Sequence, residues 1–488
     1  ATGNTAVGYL ALCCNTSGTA NVAIGGNTLM RNATTTRNVA VGQSALSCNV
    51  GSCNTGLGHS ALTANQGGGL NVAIGACALD ANTTANNNTA VGTLSLTANT
   101  TGADNSAVGY RALCANTTAT GNNSFGYESL SANTTGCQNT AMGFQAGTSN
   151  ITGDGNVALG YKALFKNNGS TPDFNVAIGR QALYSTTTAV RNSALGLNAM
   201  YSTTTGAYNV GIGGNALYTN TTGQYNTAVG YNALCTNETA ISNTAVGYFS
   251  LAANTTGACN VAMGVQAGDN TTTGINNTFI GSFAGDGNSI GAGNTSLGTR
   301  AGCSITVGDN STLIGYRATV NNGNSDNQIV IGAGDGTNNF TSAGNNTVRI
   351  GKRTAHITNT FTSNATWSHS SDLRYKKDIK DNTIGLNFIN DLRTVNYKWK
   401  ALSELDKTLP EYNANKTTAD SEELQHGLIA QEVKASMDKL GISTEFAGWQ
   451  EDKNHPNKKQ ALSESMFVYP LIKAIQELTA RIEALENE

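Results

Sequence analysis

Proline is scarce, with four residues in 488, and tryptophan is scarcer still at three. Charge is missing from most of the chain: residues 1–370 carry 23 charged side chains, while the much shorter stretch 371–488 carries 36. Neither sign is in excess, the formal net charge being −3. That balance leaves no basic field for gripping nucleic acid or an anionic membrane, so neither is expected as a partner. There is no run of 18 apolar residues to span a bilayer, and no basic-then-apolar opening of the kind a secretory signal has. The sequence opens at Ala1, inside a repeat and without Met, which leaves room for an anchor further upstream. None of the ten cysteines forms a CxxC pair or has a suitably spaced histidine, so no zinc or redox motif is found and no cofactor is expected. A glycan-cleaving enzyme needs paired carboxylates, and only eleven Asp and Glu are scattered over residues 1–370.

What is there is repetition. The pentad Asn-x-Ala-(Val/Ile/Leu/Met)-Gly recurs from Asn4 to Asn310, and fifteen of its eighteen steps are 17 residues long. Two steps of 16 and one of 19 interrupt it, the longest containing Pro172 as a loop insertion would. Each unit, such as Asn226-Thr227-Ala228-Val229-Gly230-Tyr231-Asn232-Ala233-Leu234, has two short apolar bursts ended by Gly, Asn or Thr. The bursts suit strands and are too short for helices, which predicts two strands and two turns per unit. One such unit cannot bury its own apolar side, but stacked copies can, so the expected fold is mainly β: a β-solenoid or β-roll of about nineteen 17-residue repeats. The leading Asn is suited to cap a corner or to stack in a ladder, and the Gly to a corner with positive φ.

Other features of the repeats allow sharper readings. The recurrent Asn-Thr-Thr at Asn82, Asn99, Asn116, Asn133, Asn220 and Asn254 matches a glycosylation acceptor. Tyr184, Tyr201, Tyr208, Tyr218 and Tyr225 cluster in neighbouring units, where they could stack on sugar or simply pack as strand and edge residues. Cys13, Cys114 and Cys235 share one repeat position and read as small fillers, with a disulfide such as Cys48 to Cys53 as the other possibility. The repeats resemble the head repeats of trimeric autotransporter adhesins, with Asn21-Val22-Ala23-Ile24-Gly25 close to that family's core motif. The resemblance implies a left-handed β-roll packed as a trimer.

At Ser371 the composition changes, which divides the chain into a repetitive shaft or head (1–351), a linker (352–370) and a charged domain (371–488). Ser371-Asp372-Leu373-Arg374-Tyr375-Lys376-Lys377-Asp378-Ile379 resembles the opening motif of the endosialidase-type intramolecular chaperone, a self-cleaving serine peptidase domain at the end of phage tail fibres and tailspikes. Gly427-Leu428-Ile429-Ala430-Gln431-Glu432-Val433 and Leu471-Ile472-Lys473-Ala474-Ile475-Gln476-Glu477-Leu478 resemble its internal motif and its C-terminal helix. Tyr375 stands where the family mostly has Leu.

The resemblance implies an α+β domain that trimerises three chains and then cuts itself off once, in cis, between Ser371 and Asp372. Ser371 would be the nucleophile and Lys376 the base, with Arg374 and Lys377 as supporting cations. A serine hydroxyl needs a base, and a lysine becomes one when desolvation or a neighbouring cation removes its proton. Independently of any family, Leu471, Ile475, Leu478, Ile482 and Leu485 follow the 4, 3, 4, 3 spacing of a coiled-coil seam, and Pro470 suits the first helical turn. Trp399 and Trp449 are expected in this domain's core, and the polar run Leu402–Leu424 as a loop. His426 and His455 lack metal-ligand or triad company.

Together these readings predict a homotrimeric virion tail fibre or spike, directed at a host-cell receptor or glycan. The alternatives are an extracellular, cell-surface trimeric adhesin and a glycan-degrading tailspike.

Overall fold

Each repeat folds as Asn226 to Ser242 does. Thr227–Val229 is extended, and Gly230 turns the corner at φ 138°. A Cβ on Gly230 would lie 2.3 Å from the carbonyl oxygen of Gly247 in the next coil, so only glycine fits. Asn232 and Leu234 then take φ values of 55° and 50°. Two left-handed residues so close together cannot belong to a strand. The unit therefore has one strand where two were expected, and the second burst is a chain of turns that directs Leu234 inward. Ala228, Ala233 and Leu234 are fully buried, and their equivalents form one continuous Ala/Leu core along the stack.

These coils belong to a computed structural model describing residues 1–168, 173–360, 368–369, 376–407, 409–410, 412–417, 423–442, 446–452 and 457–487. The chain divides into two units, Ala1–Ser370 and Ser371–Glu488. The first is a β-solenoid of about twenty turns. Its nineteen three-residue strands, β1 (Thr5–Val7) to β19 (Thr312–Ile314), form one parallel sheet in sequence order. Register holds across the irregular steps, with Val39 opposite Thr55 and Val157 opposite Val176. At the last of them Thr295 pairs with Thr312, so Ser311 occupies the repeat's first position and Asn310, at φ 55°, ends the previous coil. That corrects the repeat start expected at Asn310: the step from Asn294 is a regular 17 residues.

Two buried asparagine columns tie the coils together. In the first, the Asn226 backbone N–H donates to Asn209 Oδ1 at 2.9 Å, and Asn226 Nδ2 donates to the Ala240 carbonyl at 2.8 Å. In the second, Asn237 Nδ2 donates to Asn220 Oδ1 at 2.9 Å and Asn254 Nδ2 to Asn237 Oδ1 at 3.0 Å. Buried amides must find partners, and a repeat supplies the same partner one coil away. The second column includes Asn82, Asn99, Asn116, Asn133, Asn220 and Asn254, each fully buried. The glycosylation reading fails there, because an oligosaccharide needs an accessible amide.

Side chains compensate where the repeat departs from its pattern. Phe279 replaces the strand alanine, and Gly268 and Gly285 replace the flanking leucines; a Cβ on either glycine would come within 2.3 to 2.6 Å of the Phe279 ring. Beyond β19 the stack closes with β20 (Ala318–Thr319), β21 (Ile329–Ala333), β22 (Phe340–Thr341) and β23 (Thr347–Lys352), all paired in parallel. The stretch expected as a linker then carries β24 (Ala355–Thr360), antiparallel to β23, and β25 (Ser368–His369), antiparallel to β24. An antiparallel final pair ends the parallel stacking direction. All ten cysteines are free thiols, Cys48 and Cys53 among them.

Among its described residues the second unit has three α-helices, α1 (Leu386–Asp391), α2 (Ala430–Lys439) and α3 (Val468–Glu486). They combine with the antiparallel pairs β26 (Val395–Tyr397)/β27 (Gln425–Gly427) and β28 (Trp449–Glu451)/β29 (Gln460–Leu462). Phe388, Phe446 and Phe467 pack edge-on and stacked at 4.9 to 6.3 Å, with Ile384, Val433 and Met437 around them. Trp449 borders this core, but Trp399 is 60% exposed, with its ring edge-on to Tyr397. Its expected core role is thus not met, because the three phenylalanines already fill the interior.

Candidate functional site

Ser371, Asp372, Arg374 and Tyr375 lie outside the described residues. Lys376 and Lys377 are described and exposed, and Asp378 follows at φ 55°. The internal motif spans a strand end and a helix start. Gly427 closes β27, where a Cβ would press to 3.3 Å from the Tyr397 ring, and Ala430 opens α2. Val433 of the motif is in the core, while Glu432 pairs with Arg393, which holds its carboxyl below the ordinary range. A second pair, Lys439 with Asp391, joins α2 to the end of α1. His426 is exposed, its Nδ1 2.6 Å from Asn396 Oδ1 across the hairpin. His455 lies outside the described residues.

α3 has two faces. Pro470 and Ala474 are buried, and Glu477 Oε2 accepts the Leu386 N–H at 2.8 Å, satisfying an open donor at the start of α1. Leu471, Ile475, Leu478, Ile482 and Leu485 are all exposed, from 43% to 72%. The helix therefore docks on its own domain with one side and leaves the heptad seam uncovered. The capping role of Glu477 was not legible, since its partner lies 91 residues earlier.

The shaft also presents an uncovered apolar strip. In a typical strand the middle residue is buried and the third is exposed, so Ile24, Leu57, Met142, Ile212, Met263 and Leu297 project outward in one column. Beside them Tyr110, Tyr127, Phe144 and Tyr161 stack ring on ring at 5.1 to 5.5 Å. The strand alternation of the repeat, small residue in and large apolar residue out, is the sequence signal for this strip.

These features can be set against known proteins. Residues 371–442 match the chaperone of endosialidase family. No curated protein and no solved structure matches the chain. The match to the chaperone of endosialidase begins at Ser371, the first residue of the second unit, and contains both the opening and the internal motif. It ends before α3. Among the described residues no helix is long and apolar enough to cross a membrane, and no cluster of His, Cys, Asp and Glu could hold a metal ion.

Proposed function

We propose that the protein is a homotrimeric tail fibre or tailspike subunit of a phage-type virion. Its solenoid shaft reaches toward a host surface, and its C-terminal unit aligns three chains before releasing itself. The observation that carries this reading is a chaperone of endosialidase match joined, at Ser371, to a β-solenoid. Two uncovered apolar surfaces support a threefold assembly: the α3 seam and the outward column of the shaft. Neither has a reason to stay apolar in a lone chain.

In the proposed maturation Ser371 is the nucleophile, Lys376 accepts its proton, and Arg374 and Lys377 supply nearby positive charge. Net hydrolysis consumes one water, breaks the bond between Ser371 and Asp372, and leaves a carboxylate on Ser371 and an amine on Asp372. Lys376 is exposed in the single chain. An exposed lysine is a poor base, so assembly is the step that must dry and order it. Wild type and Ser371→Ala, expressed side by side, test the chemistry. Denaturing gels should show residues 372–488 as a fragment from the wild type alone; full-length bands from both would remove the peptidase claim.

One observation favours the glycan-degrading tailspike as a second reading. Asp269 and Asp286 occupy the same position in successive coils. Burial first, and the Asp269 charge after it, push the Asp286 carboxyl up, opposed by Arg300. Two carboxyls one coil apart, with the Asp286 carboxyl raised, are the kind of acid pair that glycoside hydrolysis uses. Reducing-end release from a host polysaccharide, abolished in Asp269→Asn and Asp286→Asn, would establish it.

A further inference from the structure

Phe165, Tyr184, Tyr201 and Tyr218 form a second aromatic ladder, in the turns that follow the strands. Their rings stack at 5.1, 4.9 and 5.3 Å with interplanar angles of 15° or less. Inside such a ladder each ring face is covered by its neighbour and offers a ligand nothing. The ladder stops at Tyr218, because the next two coils carry Cys235 and Ala252 at that position. One ring face is left without an aromatic neighbour, and a cleft of about 400 Å³ opens beside it.

The walls of that cleft are uncharged, mostly apolar surface with a few amides and hydroxyls set into it. On one side runs an amide ladder, Asn198 Nδ2 to Asn215 Oδ1 at 3.4 Å and Asn215 Nδ2 to Asn232 Oδ1 at 3.1 Å. It too ends here, since Phe249 takes the following position. Asn232 donates its amide to no other side chain among the described residues, and Asn198 Oδ1 is buried without a partner. On the other side are the Thr219 and Thr236 hydroxyls, which donate to backbone carbonyls and keep acceptor lone pairs. The thiol of Cys235 is pushed up, by burial first and by Asp269 second, so it is uncharged at neutral pH. No Asp, Glu, Lys or Arg lines the cleft.

An aromatic face bordered by amides and hydroxyls, with no charge, matches one ligand chemistry: a sugar ring, apolar on one face and edged with hydroxyls. The absence of a cation argues against sialic acid, sulfated sugars and nucleotides, whose anionic groups need one. We propose that this cleft binds a unit of a neutral glycan, its apolar face on Tyr218 and its hydroxyls bonded to Asn215 and Asn232. This rests on the host-attachment reading and gives it a location. The cleft is lined by residues of the turns, none of which belongs to the outward strand column.

The test uses the full chain on an array of neutral hexose and N-acetylhexosamine oligosaccharides, with sialylated and sulfated ones beside them. At least one neutral oligosaccharide should bind. Tyr218→Ala should weaken it about tenfold or more, the scale for losing one aromatic face. Tyr218→Phe should keep it, Asn232→Leu should weaken it, and Tyr110→Ala, in the other ladder, should not matter. Unaltered thermal unfolding and light-scattering mass in each variant exclude misfolding as the cause. Binding confined to acidic oligosaccharides, or equal in wild type and Tyr218→Ala, overturns the proposal. Protein that assembles and processes itself yet binds no neutral oligosaccharide overturns the cleft alone. Failure to assemble or process counts against the tail-fibre reading instead.

Discussion

At Asp173 a carboxylate does what a backbone carbonyl does elsewhere in the shaft. In a regular coil the carbonyl of Gly68 accepts from both Asn54 Nδ2 and Asn65 Nδ2. In the coil that carries the two extra residues, Asp173 Oδ2 accepts from Asn156 and Asn167 instead. The substitution keeps both amides satisfied but buries an acid whose Oδ1 has no partner. Burial, the largest influence, raises its pKa, while the two amides oppose the rise. A raised carboxyl holds a proton in the folded chain that the unfolded chain has already lost. Stability therefore falls as pH climbs through that window, and the deficit is complete above the folded value. Asp173→Asn keeps an oxygen for both amides and removes the charge. It should raise the melting temperature at pH 7, and the gain should shrink as pH falls through the carboxylate range; a constant gain at every pH would contradict this. The insertion at Pro172 was readable in the sequence, but nothing local marks Asp173 as a substitute carbonyl. Likewise, no residue preference announces a leucine at φ 50°. Stacking imposes it at Leu234 and its equivalents, so the expectation of a second strand failed.

At the scale of single elements, the second asparagine column shows what an interruption leaves behind. Thr271 takes an asparagine position, and the acceptor below it, Asn254 Oδ1, becomes a buried atom without a partner, as does Thr271 Oγ1. Thr186 interrupts the column in the same way above Asn167. Thr271→Asn should restore the ladder on both sides and stabilise the shaft by about 2 kcal/mol, about 1 for each of the two buried hydrogen bonds regained. Denaturant unfolding would measure it, and a destabilised variant would show that these positions lack room for an amide. The ladder itself was foreseeable because a 17-residue period forces like onto like. In the C-terminal unit the heptad spacing of α3 was equally plain, but only the structure separates its docked face from its free one. Ile475→Asp places a charge at a 62% exposed seam position. The domain should therefore still fold while the trimer is lost, as read by light-scattering mass. If assembly dries Lys376, the same variant should also stop cleavage at Ser371. Efficient cleavage by the monomer would separate the two events and remove assembly as the trigger.

For the whole molecule, the central difficulty is register. In the proposed trimer, about twenty nearly identical coils would let three chains meet correctly or displaced by one coil, with almost the same strip of Val, Ile and Leu in contact either way. There the C-terminal unit would fix the starting alignment, after which the coils would have only one way to match. The boundary between the two kinds of chain was legible because charge changes so sharply at Ser371. The catalytic arrangement was not, since the motif names residues without placing them. The most direct measurement is the light-scattering mass of the shaft produced with and without residues 372–488. With them, the product should have the mass of three shafts. Without them, it should be aggregated or monomeric, and recovery of the same soluble trimer from the truncated chain would contradict the account.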